Sequence, residues 1–105
     1  MYLHINPNAD LSIRAFPAKP GGIPFFVGVH FGDFNCHLWQ EDATEALAML
    51  RQALDNDGGF GKRFVSCRVS PETVTLRFRE SVTVFLPTAY AIRAVDALAK
   101  ALEQA

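Results

Sequence analysis

Cysteine is scarce in this chain. Cys36 and Cys67 are the two it has, too few for a disulfide framework and without the close spacing of a metal-binding pair, so a reducing compartment is the simplest expectation. Neither sign of charge dominates. Ten Lys and Arg stand against eleven Asp and Glu, a formal net charge of -1, so no global field draws the molecule to nucleic acid or to an anionic membrane. Any such attraction has to come from a local patch. Long apolar runs are missing as well, which leaves no segment able to span a bilayer as a helix. The first residues, Met1, Tyr2, Leu3, His4 and Ile5, lack the basic-then-apolar order of a secretion signal. Together these absences predict a cytoplasmic protein with no membrane partner.

What is present suits a single domain over 1–105. Half of the residues are hydrophobic and a fifth charged, the balance of a globular protein and too apolar for a disordered one. A chain of this length buries roughly two thirds of its unfolded surface.

Two short strands are expected first, Tyr2 to Ile5 and Leu11 to Phe16, joined by Asn6-Pro7-Asn8 and sharing an apolar face through Leu3, Ile5, Leu11, Ile13 and Ala15. A breaker-rich loop, Pro17 to Pro24, follows. Residues 25–39 then read as a hairpin about Gly32-Asp33, a two-residue turn that fixes the register with Phe31 opposite Phe34 and Phe26 opposite Trp39. Parity sends Phe25, Val27, Val29, Phe31, Phe34, Cys36 and Leu38 to the core. Phe26, Gly28, His30, Asn35, His37 and Trp39 take the opposite face.

A helix is predicted next, capped by Asp42 with Glu45 and carrying Ala43, Ala46, Leu47, Leu50 and Leu54 on its apolar stripe. After Asn56-Asp57-Gly58-Gly59 come strands over 64–69, 74–78 and 82–86, with turns at Ser70-Pro71-Glu72-Thr73 and over Arg79 to Ser81. Alternation predicts Val65, Cys67, Val69, Val74, Leu76, Phe78, Val82, Val84 and Leu86 inside. Phe64, Ser66, Arg68, Thr75, Arg77, Thr83 and Phe85 then face outward. A last helix begins near Pro87-Thr88 and buries Ala91, Val95, Leu98 and Leu102.

The pattern of residues 25–57 recurs over 64–104 at an offset of 47 to 48. This predicts an α+β fold, mainly an antiparallel sheet with two helices packed on one face, built as two hairpin-helix units in the order β-β-β-β-α-β-β-β-α.

Several motifs suggest chemistry. Gly58-Gly59-Phe60-Gly61-Lys62 resembles a phosphate cradle in composition, but it leaves a helix C-terminus and enters a strand, the reverse of what an anion site needs, so it reads as a helix-terminating flexible loop. Asp55 and Asp57 before Gly58 lack the flanking carboxylates of a calcium loop. His30, Cys36, His37 and Cys67 do not converge on a metal, because Cys36 and His37 are strand neighbours and point apart; the cysteines read as small buried hydrophobes. No cofactor, metal or catalytic constellation is predicted.

Two outward surfaces remain. Phe26, His30, His37 and Trp39 form an aromatic face of binding hot-spot types, unless the N-terminal strands or the 17–24 loop cover it. Lys62, Arg63, Arg68, Arg77 and Arg79, interleaved with Phe64 and Phe85, form a basic one. The favoured reading is a small stand-alone protein-binding module, an inhibitor or adaptor, that engages a macromolecular partner through Phe26, His30, His37, Trp39, Phe64, Arg68, Arg77 and Arg79. One alternative is nucleic-acid binding by the basic hairpin 62–79. Another is a small enzyme or metal protein using His30 and His37, which share a face. The alanines around Tyr90, Ala94, Ala97 and Ala101 suit close helix approach, and with it a homodimer contact.

Overall fold

Twice along the chain an alternating apolar pattern gives way to a helical one with no linker between. The computed structural model describes residues 1–78 and 81–105. At both points, Trp39 into Gln40 and Pro87 into Thr88, a strand runs directly into a helix. The order is β1 (Tyr2–His4), β2 (Leu11–Phe16), β3 (Phe26–Phe31), β4 (Phe34–Trp39), α1 (Gln40–Asn56), β5 (Gly58–Phe60), β6 (Phe64–Ser70), β7 (Thr73–Phe78), β8 (Val82–Pro87) and α2 (Thr88–Leu102). Arg79, a predicted partner contact, and the Arg79 to Ser81 turn as far as Glu80 lie outside the described residues.

The fold is α+β with mainly antiparallel sheets, as predicted. β2-β3-β4 form a three-stranded sheet and β1-β8-β7-β6-β5 a five-stranded one. The helices pack against each other on the inner faces: α1 lies along β5, β6 and β7 and touches β3 and β4, while α2 meets β2, β7 and β8. Each helix therefore closes on both sheets. The resulting core takes Val27, Val29 and Phe31 from one sheet, Val74, Leu76, Val84 and Leu86 from the other, and Leu50, Tyr90 and Leu98 from the helices.

Gly32 has φ +60° and opens a two-residue turn, so the predicted register of the first hairpin holds at every pair from Phe31–Phe34 to Phe26–Trp39. Five expectations need correction. The first two strands do not pair with each other: β1 joins β8 in parallel and β2 joins β3. The Asn6-Pro7-Asn8 turn carries the chain between sheets instead.

The glycine run after α1 is not a loop. Gly58–Phe60 is a short strand on β6, and glycine lets it lie close, since a Cβ on Gly58 would fall 2.6 Å from the Ser66 carbonyl oxygen and one on Gly59 2.1 Å from Gln52 Oε1. The first helix begins at Gln40, and Trp39 at its N-cap makes no side-chain cap bond. Asp42 pairs instead with the Arg63 guanidinium. Glu45 accepts from the backbone N–H of Lys62 at 2.6 Å and of Arg63 at 2.9 Å.

The fourth correction carries furthest. A bulge between Arg68 and Ser70 sets two residues of β6 against one step of β7, so Phe64 pairs with Phe78, Ser66 with Leu76 and Arg68 with Val74. A one-residue slip turns every side chain of a strand over. Phe64 and Ser66 are therefore buried, whereas Val69 and Cys67 are exposed, the reverse of the parity prediction. Buried Ser66 donates to the Met49 carbonyl of α1 at 2.6 Å. Arg68 turns inward and donates to the Leu54 carbonyl, and its buried Nε has no partner among the described residues.

Finally, Tyr90, Ala94 and Ala101 are buried against α1 and the sheets, while Val95 and Leu102 are half-buried. The apolar stripe of α2 is thus rotated from the predicted one, and Ala97 beside it is half-buried. Asp96 and Lys100, one turn apart on the solvent side of α2, form an ion pair at 3.8 Å.

Candidate partner-binding face

The outer face of β2-β3-β4 is a grid fixed by two registers. Ser12, His30 and Asn35 make one row, Arg14, Gly28 and His37 the next, and Phe16, Phe26 and Trp39 the last. No helix covers it, because both helices lie on the opposite side of the sheet. The N-terminal strands do not cover it either, since β2 lies beside β3 and β1 belongs to the other sheet.

The aromatic row is continuous and open. Phe16 stacks on Phe26 at 4.6 Å and Phe26 meets Trp39 edge-on at 6.1 Å, with His37 5.3 Å from Phe26. Trp39 is 54% exposed and Phe16 40%. Ile23, from the 17–24 loop, borders Phe26, His37 and Trp39 and is itself exposed. Gly28 explains how the rings lie down: a Cβ there would meet Phe16 Cε2 at 3.0 Å. Its missing side chain leaves a shallow depression of about 380 Å³ bordered by Arg14, Phe16, His30, Asn35 and His37.

The polar half is cationic. Arg14 is exposed and has neither a hydrogen bond nor an ion pair among the described residues. His30 Nδ1 hydrogen-bonds the Asn35 side-chain oxygen, an arrangement that puts a proton on Nδ1. None of the nine grid positions is a carboxylate. Asp10 and Asp33 sit in turns beyond the Ser12 row. On the core side of β4, Cys36 has its thiol pushed up to about 11 by burial, so it stays a protonated, inert thiol at neutral pH.

Of the predicted contacts, this face brings together Phe26, His30, His37 and Trp39. The predicted basic surface does not assemble, because Phe64 and Arg68 point to the core. Arg77 does reach the outside, on the five-stranded sheet beside Tyr2, Cys67, Thr75 and Thr83. His4 stacks on Phe85 on that sheet at 4.4 Å.

Sequence reasoning missed Arg14 and Phe16. The signal was there in the alternation of Ser12, Arg14 and Phe16 against Leu11, Ile13 and Ala15, but using it required knowing that β2 pairs with β3. Compared with family models, curated proteins and solved structures, the chain matches none.

Proposed function

We propose that this protein is a small binding module of inhibitor or adaptor kind, acting by occupying a macromolecular protein partner through the outer face of β2-β3-β4. The supporting observation is the half-exposed aromatic row of Phe16, Phe26 and Trp39 on a sheet face left bare by both helices. Folding gains nothing from keeping Trp39 half in water, whereas a partner would gain its apolar area. A tryptophan of this kind at an interface contributes about 2 kcal/mol or more. In this reading His30 and His37 are recognition groups, donating and accepting hydrogen bonds beside the rings. With two free cysteines, the protein suits the cytoplasm.

Capture of partners from the host lysate, their identification, and affinity measurements with Trp39→Ala and Arg77→Glu test the proposal. Loss of at least tenfold in affinity with Trp39→Ala is expected. If Trp39→Ala holds every partner at wild-type affinity, the proposal fails, whereas a loss confined to Arg77→Glu points to the five-stranded sheet instead.

A second reading, single-stranded nucleic acid on the five-stranded sheet, is supported by Arg77 beside exposed Tyr2, with Phe85 adjacent. Oligonucleotide titrations at two salt concentrations test it, and it requires binding that weakens as salt rises.

A further inference from the structure

An open sheet edge lies next to the proposed partner face. In a two-residue hairpin the pair that closes the turn is hydrogen-bonded, and bonded and non-bonded pairs alternate from there. Phe34, Cys36 and Leu38 therefore direct their backbone groups to β3. The N–H groups of Asn35, His37 and Trp39, and the carbonyls of Asn35 and His37, point away from it. No described residue supplies a hydrogen bond to these groups. The other side of β3 obeys the same phase, since Gly32 N–H donates to the Asp10 carbonyl at 2.9 Å, one step beyond the Leu11–Phe31 pair.

Exposed edges are normally blunted by charge, proline, a bulge, shortness or a covering element. β5 and β1 are short, with three residues each. β2 carries Arg14, runs into Pro17 and is flanked by α2. β4 has none of these protections: its sequence is Phe-Asn-Cys-His-Leu-Trp, its pairing with β3 is regular, and no described strand pairs with its other edge.

We propose that the partner is taken up as an extended, acidic segment that adds a fourth strand to the β4 edge. The inference rests on the reading of this face as a partner site and names what binds there. Backbone geometry selects a strand, because alternate N–H and C=O groups at the edge are matched only by another extended chain. The face selects its side chains. Every second residue of the added strand would extend one row of the grid, about 4.8 Å beyond Asn35, His37 or Trp39. Beside Trp39 the row is aromatic, so the incoming residue is apolar. In the Arg14, Gly28, His37 row it is a carboxylate, which meets the His37 imidazole N–H at the edge, while Arg14, two strands further along the row and with no ion-pair partner among the described residues, adds a favourable field on a face whose nine grid positions hold no carboxylate. A second copy of this chain fits poorly. It would continue the rows with Asn35, His37 and Trp39 of a second β4, none of which supplies an acid.

The test uses Trp39, the chain's one tryptophan, as a local reporter. The probe is a ten-residue peptide of alternating threonine and valine with a central glutamate, compared with the same peptide carrying lysine and with one N-methylated at every second amide. The glutamate peptide is expected to shift Trp39 emission and to slow amide exchange at Asn35, His37 and Trp39. The lysine peptide should bind at least tenfold more weakly, the methylated peptide should not bind, and Arg14→Glu should narrow the gap between glutamate and lysine.

The inference is overturned if the glutamate peptide gives no response at millimolar concentration, or if glutamate and lysine peptides bind alike. It is also overturned if a thymidine oligonucleotide binds this edge in place of the peptides, or if the free protein is a dimer with these amides already protected. If the peptides fail while captured partners remain sensitive to Trp39→Ala, the partner face stands and only the strand mode falls. If Trp39→Ala leaves every partner untouched, the face itself falls.

Discussion

Phe64→Ala separates the two parities of β6 by a wide margin. The ring is 3% exposed, lies edge-on to Phe78 at 5.0 Å and belongs to the common core. Truncating a buried phenylalanine removes its transfer energy and leaves a cavity, together about 3–5 kcal/mol. For a domain of this size that lowers Tm by about 12–40 °C. Val69, three-fifths exposed at the bulge, has little to lose, and Val69→Ala should cost under about 1 kcal/mol. Urea titrations followed by far-ultraviolet circular dichroism, with equal slopes for wild type and both variants, give the comparison. Had β6 kept regular pairing through its turn, Val69 would lie inside and Phe64 outside, and the ranking would invert. A Val69→Ala penalty larger than that of Phe64→Ala refutes the bulge and the inward placement of Arg68.

Four further outcomes follow from the same geometry. Cys67 should be alkylated by iodoacetamide at pH 8 at least a hundredfold faster than Cys36, read by mass spectrometry, because Cys67 is exposed while burial lifts the Cys36 thiol from 9.0 to about 11 and so thins its thiolate. The same shift makes stability fall as pH rises from 9 toward 11: the unfolded chain releases the Cys36 proton and the native one retains it, and Cys36→Ala should flatten that slope in chemical denaturation. Glu45→Ala should cost about 1.5–3 kcal/mol in the same denaturation assay, by removing a carboxylate that holds the Lys62 and Arg63 amides, with the 61–63 segment losing amide protection first. Gly28→Val should tilt Phe16 off its stack on Phe26, visible as ring-proton shifts in NMR spectra, and should weaken partner binding while changing stability by less than about 1 kcal/mol.

The legible parts of this fold are those set by local geometry. Gly32-Asp33 has one short turn to make, and that turn dictates every pair of β3 and β4, so Phe26, His30, His37 and Trp39 could be placed on one face from sequence. The illegible parts depend on contacts far apart in the chain. β6 offers two apolar rows, Val65, Cys67 and Val69 or Phe64 and Ser66, and local alternation favours the aliphatic one. What decides it is α1, whose carbonyls at Met49 and Leu54 receive Ser66 and Arg68, together with β5, which no strand-like pattern announces. β1 was misplaced for a similar reason. Its partner lies some eighty residues on, where the Thr83 N–H donates to the Met1 carbonyl at 2.9 Å.

The glycine run shows how composition misleads. The end of the run does meet an anion, since the Lys62 amide, with that of Arg63, donates to the chain's own Glu45. The glycines suit a close approach on two sides: a Cβ on Gly58 would run into the Ser66 carbonyl of β6, and one on Gly59 or Gly61 would crowd Gln52 or Glu45 of α1.

Residue-resolved amide exchange along β4 puts the open edge and its neighbouring face to the most direct test. Slow exchange at Phe34, Cys36 and Leu38, alternating with fast exchange at Asn35, His37 and Trp39, is the predicted pattern in the free protein. Uniform protection along all of β4 would mean that something already occupies the edge, and the account of this surface would be wrong.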